Sequence, residues 1–373
     1  MTAHALLSAS GSKRWLSCTP SARLEATLPE QKRATGSFDF SQEGTTAHSL
    51  AEIKLRYYYN QIDTEEYELE YAQIKKTPYY NDDFEANVDN YVLYVRSQIG
   101  EGDTPLFEQR VDFSDWVPDG FGTADVVILS KHSIRVIDLK FGKGVPIYAQ
   151  DNPQLRLYAL GAYAKFKEEY PDVKEVNYTI MQPRLDSISS DGTTVVKLVD
   201  WANYFVKPKA KKAWAGAGEF LPGEWCQFCR AKAQCRARSD FNTELTRLEF
   251  QVPPLLNNDE ISQVISKAQD LRTWVNDVEE YALVRAVEQN IIPSGYKLGT
   301  TITHRKISDH ALAATILVEK GMSPDVIWEQ PKLKSLAALE RINKQVMAHL
   351  GSVVIRPEGQ PKLIRDKAKE DFE

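Results

Sequence analysis

The chain contains four cysteines, and their spacing is typical of a metal centre. Cys226, Cys229 and Cys235 form a C-x2-C-x5-C group, whereas Cys18 lies far away near the N-terminus. Four thiolates satisfy either a tetrahedral zinc ion or a four-iron cluster. Because the single cysteine must join the group of three, we expect the metal to tie together the two ends of the sequence between them.

That intervening sequence contains G-T-A-D at 122–125, I-D-L-K at 137–140 and Q-L-R-L-Y at 154–158. Residues two apart on a strand face the same way, so Asp138 and Lys140 should project together beside the carbonyl of Leu139. A hairpin that closes at 130–132 would bring Asp125 close to Asp138. Two carboxylates and a carbonyl favour Mg²⁺ or Mn²⁺, and a nearby lysine can stabilise the charge of a reacting phosphate.

Two helical pairs of residues stand beside these motifs. His48 and Glu52 are one turn apart on a helix that Thr45 or Thr46 would cap, and His48 would add a nitrogen ligand that shifts the preference toward Mn²⁺. Glu52 is either a solvated residue or a partner of His48. Gln154 and Tyr158 are either an ordinary amphipathic face or part of the site.

The hydrophobic pattern predicts the elements that must position these residues. The predicted helices cover 6–18, 82–98, 154–169, 208–219 and 261–289, with one more from residue 47, and the predicted strands cover 105–113, 120–129, 133–141 and 175–182. The sequence therefore predicts an α/β fold.

The motifs resemble those of a known superfamily. E-G-T-T-A-H at 43–48, together with G-T-A-D, I-D-L-K and Q-L-R-L-Y, is similar to the motifs of the PD-(D/E)XK nucleases in their RecB-like branch. A distant N-terminal cysteine with a C-x2-C-x5-C group resembles the iron–sulfur nucleases of the AddB type and of CRISPR adaptation. I-D-L-K-F-G-K-G at 137–144 and Q-P-R-L-D at 182–186 further resemble an uncharacterised RecB-like family of phages and prophages.

The resemblance implies a role for each motif residue. His48, Asp125 and Asp138 would bind the metal ion together with the Leu139 carbonyl, Lys140 would be the catalytic lysine, and Gln154 and Tyr158 would position the phosphate or the lysine. Glu108 is a weaker candidate for a supporting carboxylate. The implied fold is a restriction-endonuclease-like core at 1–240, a mixed central sheet flanked by helices and closed by the four cysteines. A mostly helical extension with a charged tail would follow at 241–373.

On the C-x2-C spacing alone zinc would be the more frequent answer, although structural zinc sites usually use two cysteine pairs. Because one isolated cysteine with a group of three resembles the cluster site of the nuclease relatives, we expect a 4Fe-4S cluster, with structural zinc as the alternative. The chain carries a net charge of −6 over its 373 residues, but lysines and arginines concentrate between 207 and 238. We expect this basic stretch to contact DNA phosphates through Lys211, Lys212 and Arg230, with Arg184 as a further contributor.

These features predict a metal-dependent DNA exonuclease that serves phage recombination or replication, with linear DNA ends as its substrate and a phage single-strand annealing or single-strand-binding protein as a partner. The alternatives are a DNA-end scaffold protein that retains the fold, and a CRISPR-adaptation nuclease. No G-x-x-x-x-G-K-[ST] motif is present, so the chain has no motor of its own. Without a membrane-spanning apolar run or a leader-like N-terminus, we expect the protein in the cytoplasm.

Overall fold

A five-stranded mixed sheet forms the centre of the protein in a computed structural model that describes residues 5–28, 40–243 and 258–298. The strands are β1 (Thr104–Asp112), β2 (Phe121–Leu129), β3 (Ser133–Leu139), β4 (Glu175–Gln182) and β5 (Ser187–Thr194), and they lie side by side in chain order. Only β3 and β4 are parallel. A parallel pair needs a crossover connection, and helix α6 (Pro153–Phe166) supplies it.

The remaining helices cover both faces of the sheet. They are α1 (Ser12–Ser17), α2 (Ser21–Ala26), α3 (Phe40–Tyr58), α4 (Thr64–Lys75), α5 (Asp82–Ser97), α7 (Val195–Trp201), α8 (Lys207–Ala215), α9 (Arg236–Thr243) and α10 (Asn258–Gln289). One core lies between the sheet and α1, α6, α7 and α8, and the other lies between the sheet and α3, α4 and α5. The predicted α/β class is confirmed.

Strand β3 shows how alternation divides its residues between the two cores. Ile134 and Val136 pack on the α6 side, while Ile137 and Leu139 pack on the α3 side. This alternation places Asp138 on the same side as α6. The predicted hairpin is confirmed, since Leu129 pairs with Ile134 across the turn.

Several predicted boundaries differ from the structure. Helix α3 begins at Phe40, so Thr45 and Thr46 lie inside it and do not cap it. Thr46 Oγ1 instead donates to the carbonyl of Gln42 one turn earlier, which is how a threonine is accommodated in a helix interior. Strand β5 was not predicted, because S-I-S-S-D-G-T-T lacks the apolar alternation of a half-buried strand.

Helix α10 confirms a helical segment after residue 240. The charged tail and the rest of the extension beyond 298 lie outside the described residues, as do 244–257, whereas the domain boundary was predicted at 240/241, within α9. The described residues belong to one unit that ends at Leu298. In the described ranges, no helix is both long and apolar enough to cross a membrane.

A buried charge cluster joins α3, α4 and α5. Lys54 Nζ lies 2.6 Å from both Glu85 Oε1 and Asp89 Oδ1, and the hydroxyl groups of Tyr71 and Tyr80 also donate to Glu85. Burial alone would raise the pKa of Glu85, but these hydrogen bonds lower the pKa to about 2. The cluster therefore stabilises the helical layer that carries His48.

We predict that Glu85→Gln removes a contribution to stability that depends on pH. A carboxyl whose pKa is lower in the folded state stabilises above its unfolded value of 4.5 and loses this effect as the pH falls toward 2. Urea unfolding should show the variant up to about 3 kcal/mol less stable at pH 7. The difference from wild type should shrink between pH 4.5 and pH 2, and a difference that stays constant over this range would contradict the prediction.

Candidate functional site

Helix α3 presents His48 to the middle of β1 and β2. His48 Nδ1 lies 3.3 Å from Asp125 Oδ1. Burial alone would lower the pKa of His48, but the Asp125 carboxylate raises it to about 9. The start of the helix is fixed by an ion pair of 2.8 Å between Glu43 and Arg184, which follows β4. This ion pair holds α3 in the position that brings His48 to the sheet.

Asp125 lies just beyond the last ladder pair of the hairpin. Its Oδ2 accepts the backbone N–H of Leu139 at 2.7 Å, so the carboxylate joins the ends of β2 and β3. Burial would raise the pKa of Asp125, but His48, Lys140 and the Leu139 amide lower it. Asp125 is therefore held as a carboxylate beside His48.

Glu108 completes this cluster from β1. In the register of β1 and β2 it stands opposite Asp125, at a point where the pairing is interrupted. Its φ of +46° is rare for a glutamate in a strand, and strain of this kind concentrates at functional sites. Burial and the neighbouring Asp125 raise the pKa of Glu108 to about 7. The strained backbone of Glu108 thus directs its carboxyl group toward the carboxylate of Asp125.

Donor atoms of His48, Glu108 and Asp125 all lie within 4.8 Å of one another, and the same pocket is lined by Leu139 and Glu52. One nitrogen and two carboxylate oxygens at this separation suit a divalent cation. Glu52 pairs with Arg56 at 3.3 Å, so it lies beside the group and is not one of its three members.

Asp138 and Lys140 project together on the α6 side, as expected. Lys140 Nζ lies 2.8 Å from Asp138 Oδ2 and donates to Gln154 Oε1 at 3.2 Å. Gln154 Nε2 donates to Asp138 Oδ1 at 3.1 Å and to the hydroxyl of Tyr158 at 3.2 Å. Gln154 and Tyr158 thus belong to one connected network with Asp138 and Lys140, and their role in a site stays a prediction.

Charge inside this network is only partly compensated. Asp138 is 2% exposed, and burial raises its pKa although Lys140 opposes the change. Lys140 Nζ lies 2.8 Å from Asp138 Oδ2 and forms an ion pair with this buried oxygen. Burial would lower the pKa of Lys140, but Asp138 and Asp125 raise it, so the amine stays an ammonium.

The first residue of G-T-A-D, Gly122, must be glycine for steric reasons. A Cβ atom at Gly122 would lie 2.8 Å from Cε1 of Tyr158. Real Cβ contacts are longer, so only glycine lets the tyrosine ring lie against β2 and reach Gln154 with its hydroxyl.

The sequence did not reveal three supporting residues. Gln182, the first residue of Q-P-R-L-D, accepts the N–H of Ile147 at 2.7 Å and donates to the carbonyl of Val145 at 3.1 Å, which fixes the loop after Lys140. Asn152 caps α6 by accepting the N–H of Gln154 at 3.0 Å. Glu43 anchors α3. Glu43 is the first residue of the motif E-G-T-T-A-H, and its place in that motif is the sequence feature that could have identified it.

The four cysteines meet at a second site. Cys18 follows α1, Cys226 belongs to the short turn Glu224–Phe228, Cys229 follows that turn directly, and Cys235 precedes α9. All four line one pocket. Burial raises the pKa of the Cys18 and Cys226 thiols and raises that of Cys229 to about 12.

The cysteine sulfurs are not closely grouped. In the described ranges, no three cysteine sulfurs lie within 4.8 Å of one another. Zinc bonds of about 2.3 Å in a tetrahedron require every pair of sulfurs to approach to about 3.8 Å, whereas a four-iron cluster holds its thiolates farther apart. The sulfurs are therefore farther apart than a single bound zinc ion requires.

The two ends of the chain also meet through ordinary contacts around this pocket. Glu25 is buried and accepts the backbone N–H of Arg230 at 2.7 Å, while Arg14 lies 2.8 Å from its other oxygen. Thr19 Oγ1 donates to the carbonyl of Ala217 at 2.6 Å. The N-terminal segment and the segment from Ala217 to Arg230, which a metal would join, therefore already contact each other through hydrogen bonds.

The predicted DNA-contacting residues fall into two groups. Lys211 and Lys212 are exposed on α8. Arg184 is engaged by Glu43 and lies over the ring of Phe141, and Arg230 donates to the carbonyl of Glu25. The two arginines thus have structural partners, and the two lysines remain candidates for phosphate contact.

A carboxylate–histidine–lysine site at the edge of a mixed sheet and a four-cysteine pocket together define an α/β protein with two candidate metal centres. The chain belongs to the DUF2800 family, which is described as a protein of unknown function and which matches residues 4–371. Among solved structures, the chain is similar to one described as "Crystal structure of SSO0001", at 14% identity and a TM-score of 0.24, over 59% of this chain and 94% of that chain.

The geometry predicts that Mn²⁺ binds at His48, Glu108 and Asp125. Glu108→Gln should weaken Mn²⁺ binding by at least about tenfold, since losing even a supporting group around a metal costs that much. Isothermal titration calorimetry measures the change. Glu52→Gln is the matched control, because Glu52 lines the same pocket outside the donor group, and equal losses in both variants would show that pocket charge alone attracts the ion.

Proposed function

We propose that this protein is a metal-dependent deoxyribonuclease with a PD-(D/E)XK core, which hydrolyses phosphodiester bonds at the ends of linear DNA. The observation that carries the proposal is the convergence of His48, Glu108 and Asp125 within 4.8 Å, next to Lys140 at 2.8 Å from Asp138. A bound cation and a fixed ammonium group can together promote phosphodiester hydrolysis, and no covalent bond between the protein and the DNA is needed.

His48, Glu108 and Asp125 would hold Mg²⁺ or Mn²⁺, and the imidazole favours Mn²⁺. The position of Asp138 differs from the ligand set first expected, since its carboxylate contacts Lys140 and Gln154. Asp138 as a ligand and the Leu139 carbonyl as a ligand stay predictions. A bound ion of this kind supplies a water of lowered pKa and neutralises charge on the leaving oxygen.

Lys140 provides the fixed ammonium group. Asp138 and Gln154 engage two of its three donors, which aligns the side chain and leaves one donor for a phosphate oxygen. Gln154 is itself held by Asn152 at its backbone and by Tyr158 at its side chain. The ammonium is thus oriented before substrate arrives, and preorganised charge is what stabilises a transition state most strongly.

We further propose that the four cysteines hold a 4Fe-4S cluster. Two features support this assignment over zinc, namely the isolated position of Cys18 and the wide spacing of the sulfurs. The cluster would act in folding, since it would join α1 to the segment that precedes α9. We propose a setting in phage recombination or replication in the cytoplasm, together with a single-strand annealing or single-strand-binding protein.

The nuclease assignment predicts that substitution of Lys140 and substitution of Asp138 both impair the digestion of DNA. Lys140→Ala should slow digestion of end-labelled linear DNA by about 10²- to 10³-fold while Mn²⁺ still binds, because one electrostatic stabiliser is lost. Asp138→Ala should also abolish digestion. Lys131→Ala removes an exposed lysine at the other end of the same hairpin and should leave the rate unchanged.

Circular DNA in parallel reactions tests the requirement for ends. Cleavage of circles at the same rate would replace the exonuclease by an endonuclease. A wild-type protein that binds DNA ends without cutting them would favour the scaffold alternative, and normal digestion by Asp138→Ala would refute this site.

The cysteine assignment predicts that protein purified without oxygen contains about four irons per chain and absorbs broadly in the visible range. Cys18→Ala should lose the iron and become sensitive to protease, because binding energy at such a site is folding energy. Thr19→Ala removes a hydrogen bond between the same two segments but no thiol, so it should keep its iron. One tightly held zinc per chain, or full iron content in Cys18→Ala, would overturn the assignment.

A further inference from the structure

Two exposed aromatic side chains lie on an irregular helical turn that belongs to neither candidate metal centre. Tyr204 is 81% exposed and Phe205 is 43% exposed. Both belong to a π-helical turn, Ala202–Val206, which joins α7 to α8. A tyrosine in this position contributes almost nothing to the core, so its ring is available to a ligand.

The π turn has a local cause in Pro208. Proline has no N–H to donate to the carbonyl four residues earlier, which is that of Tyr204, and its ring crowds the same carbonyl. The wider turn relieves this conflict, and Lys207 N–H bonds to Ala202 five residues back. Such turns interrupt α-helices mainly at functional positions.

The segment from α7 to α8 buries its apolar face without the rings of Tyr204 and Phe205. The buried stripe consists of Val195, Leu198, Ala202, Val206, Ala210 and Ala213. These residues already satisfy the apolar face of α7, the π turn and α8. The aromatic residues therefore lie on the opposite, exposed side, together with the lysines of α8.

The exposed side carries aromatic rings and cations in rows. Phe205 stacks on Trp201 with ring centroids 6.4 Å apart, and Lys209 Nζ lies 4.2 Å from the centroid of Phe205. Tyr204 precedes Lys207 by three residues and Lys211 by seven, which places all three on one helical face. We name Tyr204, Phe205, Lys207, Lys209, Lys211 and Lys212 the aromatic–lysine surface.

The surface is rigidly attached to the helix that serves the active site. Trp116 Nε1 donates to Asn203 Oδ1 at 3.0 Å, which fixes the π turn. The guanidinium of Arg156 lies 5.5 Å from the ring centroid of Trp201. Arg156 belongs to α6, the helix of Gln154 and Tyr158, and α7 packs against α6.

We propose that the aromatic–lysine surface binds single-stranded DNA, with a base stacked on Tyr204 and phosphates paired with Lys207, Lys211 and Lys212. This inference rests on the proposed function in taking DNA as the substrate, and it adds that the strand bound here is unpaired. Rings interleaved with lysines are the usual combination in single-strand sites, since every base offers a π face to an aromatic ring.

Duplex DNA fits this surface less well. The faces of paired bases are covered by their neighbours, so a duplex offers phosphates to the lysines but no face to Tyr204. A protein partner would use the rings without requiring the row of lysines. The combination of both features selects an unpaired strand.

The test is fluorescence anisotropy with a short labelled oligonucleotide, single-stranded or paired to its complement, with chelator present so that no hydrolysis occurs. Tyr204→Ala should weaken binding of the single strand by about 5- to 150-fold, the range of one base–aromatic stack, and change duplex binding little. Tyr204→Phe keeps the ring and should bind like wild type. Tyr296→Ala is the matched control, because Tyr296 is 79% exposed elsewhere in the chain.

Salt dependence separates the rings from the lysines. Replacing Lys211 and Lys212 together by glutamine should reduce the slope of log affinity against log salt by about 1.4, whereas Tyr204→Ala should leave the slope unchanged. Unchanged single-strand affinity in Tyr204→Ala, or equal losses for both DNA forms, overturns the inference while digestion of DNA still supports the nuclease. A wild-type protein that neither binds nor digests DNA overturns both.

Discussion

Two carboxylates are buried side by side at the end of one hairpin, and the site is arranged around the need to compensate their charge. A buried ion costs several kcal/mol unless partners replace its water. Asp125 has His48 and the Leu139 amide, and Asp138 has Lys140 and Gln154. These partners come from both helical layers, so α3 and α6 must both be correctly positioned at this end of β3.

The order of the motifs made much of this site predictable. Alternation on β3 fixes Asp138 and Lys140 on one face, and the short turn 130–132 brings Asp125 beside them. Helical spacing likewise links Gln154 to Tyr158. Each of these relations is local, and local geometry follows from the periods of strand and helix.

Relations between distant segments were less accessible. The left-handed backbone of Glu108 and its interrupted pairing have no signal in T-P-L-F-E-Q-R, yet they bring this residue into the metal-binding group ahead of Asp138. Arg184 and Arg230 are predicted phosphate contacts because they are basic, and their contacts with Glu43 and Glu25 depend on long-range packing that the sequence does not show. Charge in a sequence shows where a cation is, but its partner is decided by the tertiary fold.

The hydrogen bond between Glu25 and Arg230 joins residues that are 205 positions apart. Closing a loop of this length costs about 5 kcal/mol of chain entropy beyond a constant, so the sheet and its nearby helices gain their contacts first. The first two helices pack on α8, where they complete a core that contains Ala210 and Ala213, and Glu25 then meets Arg230 farther along the chain. Contacts that form after the folding barrier slow unfolding without speeding folding. We therefore expect the closure of the two ends to govern how long the folded protein lasts more than how fast it forms.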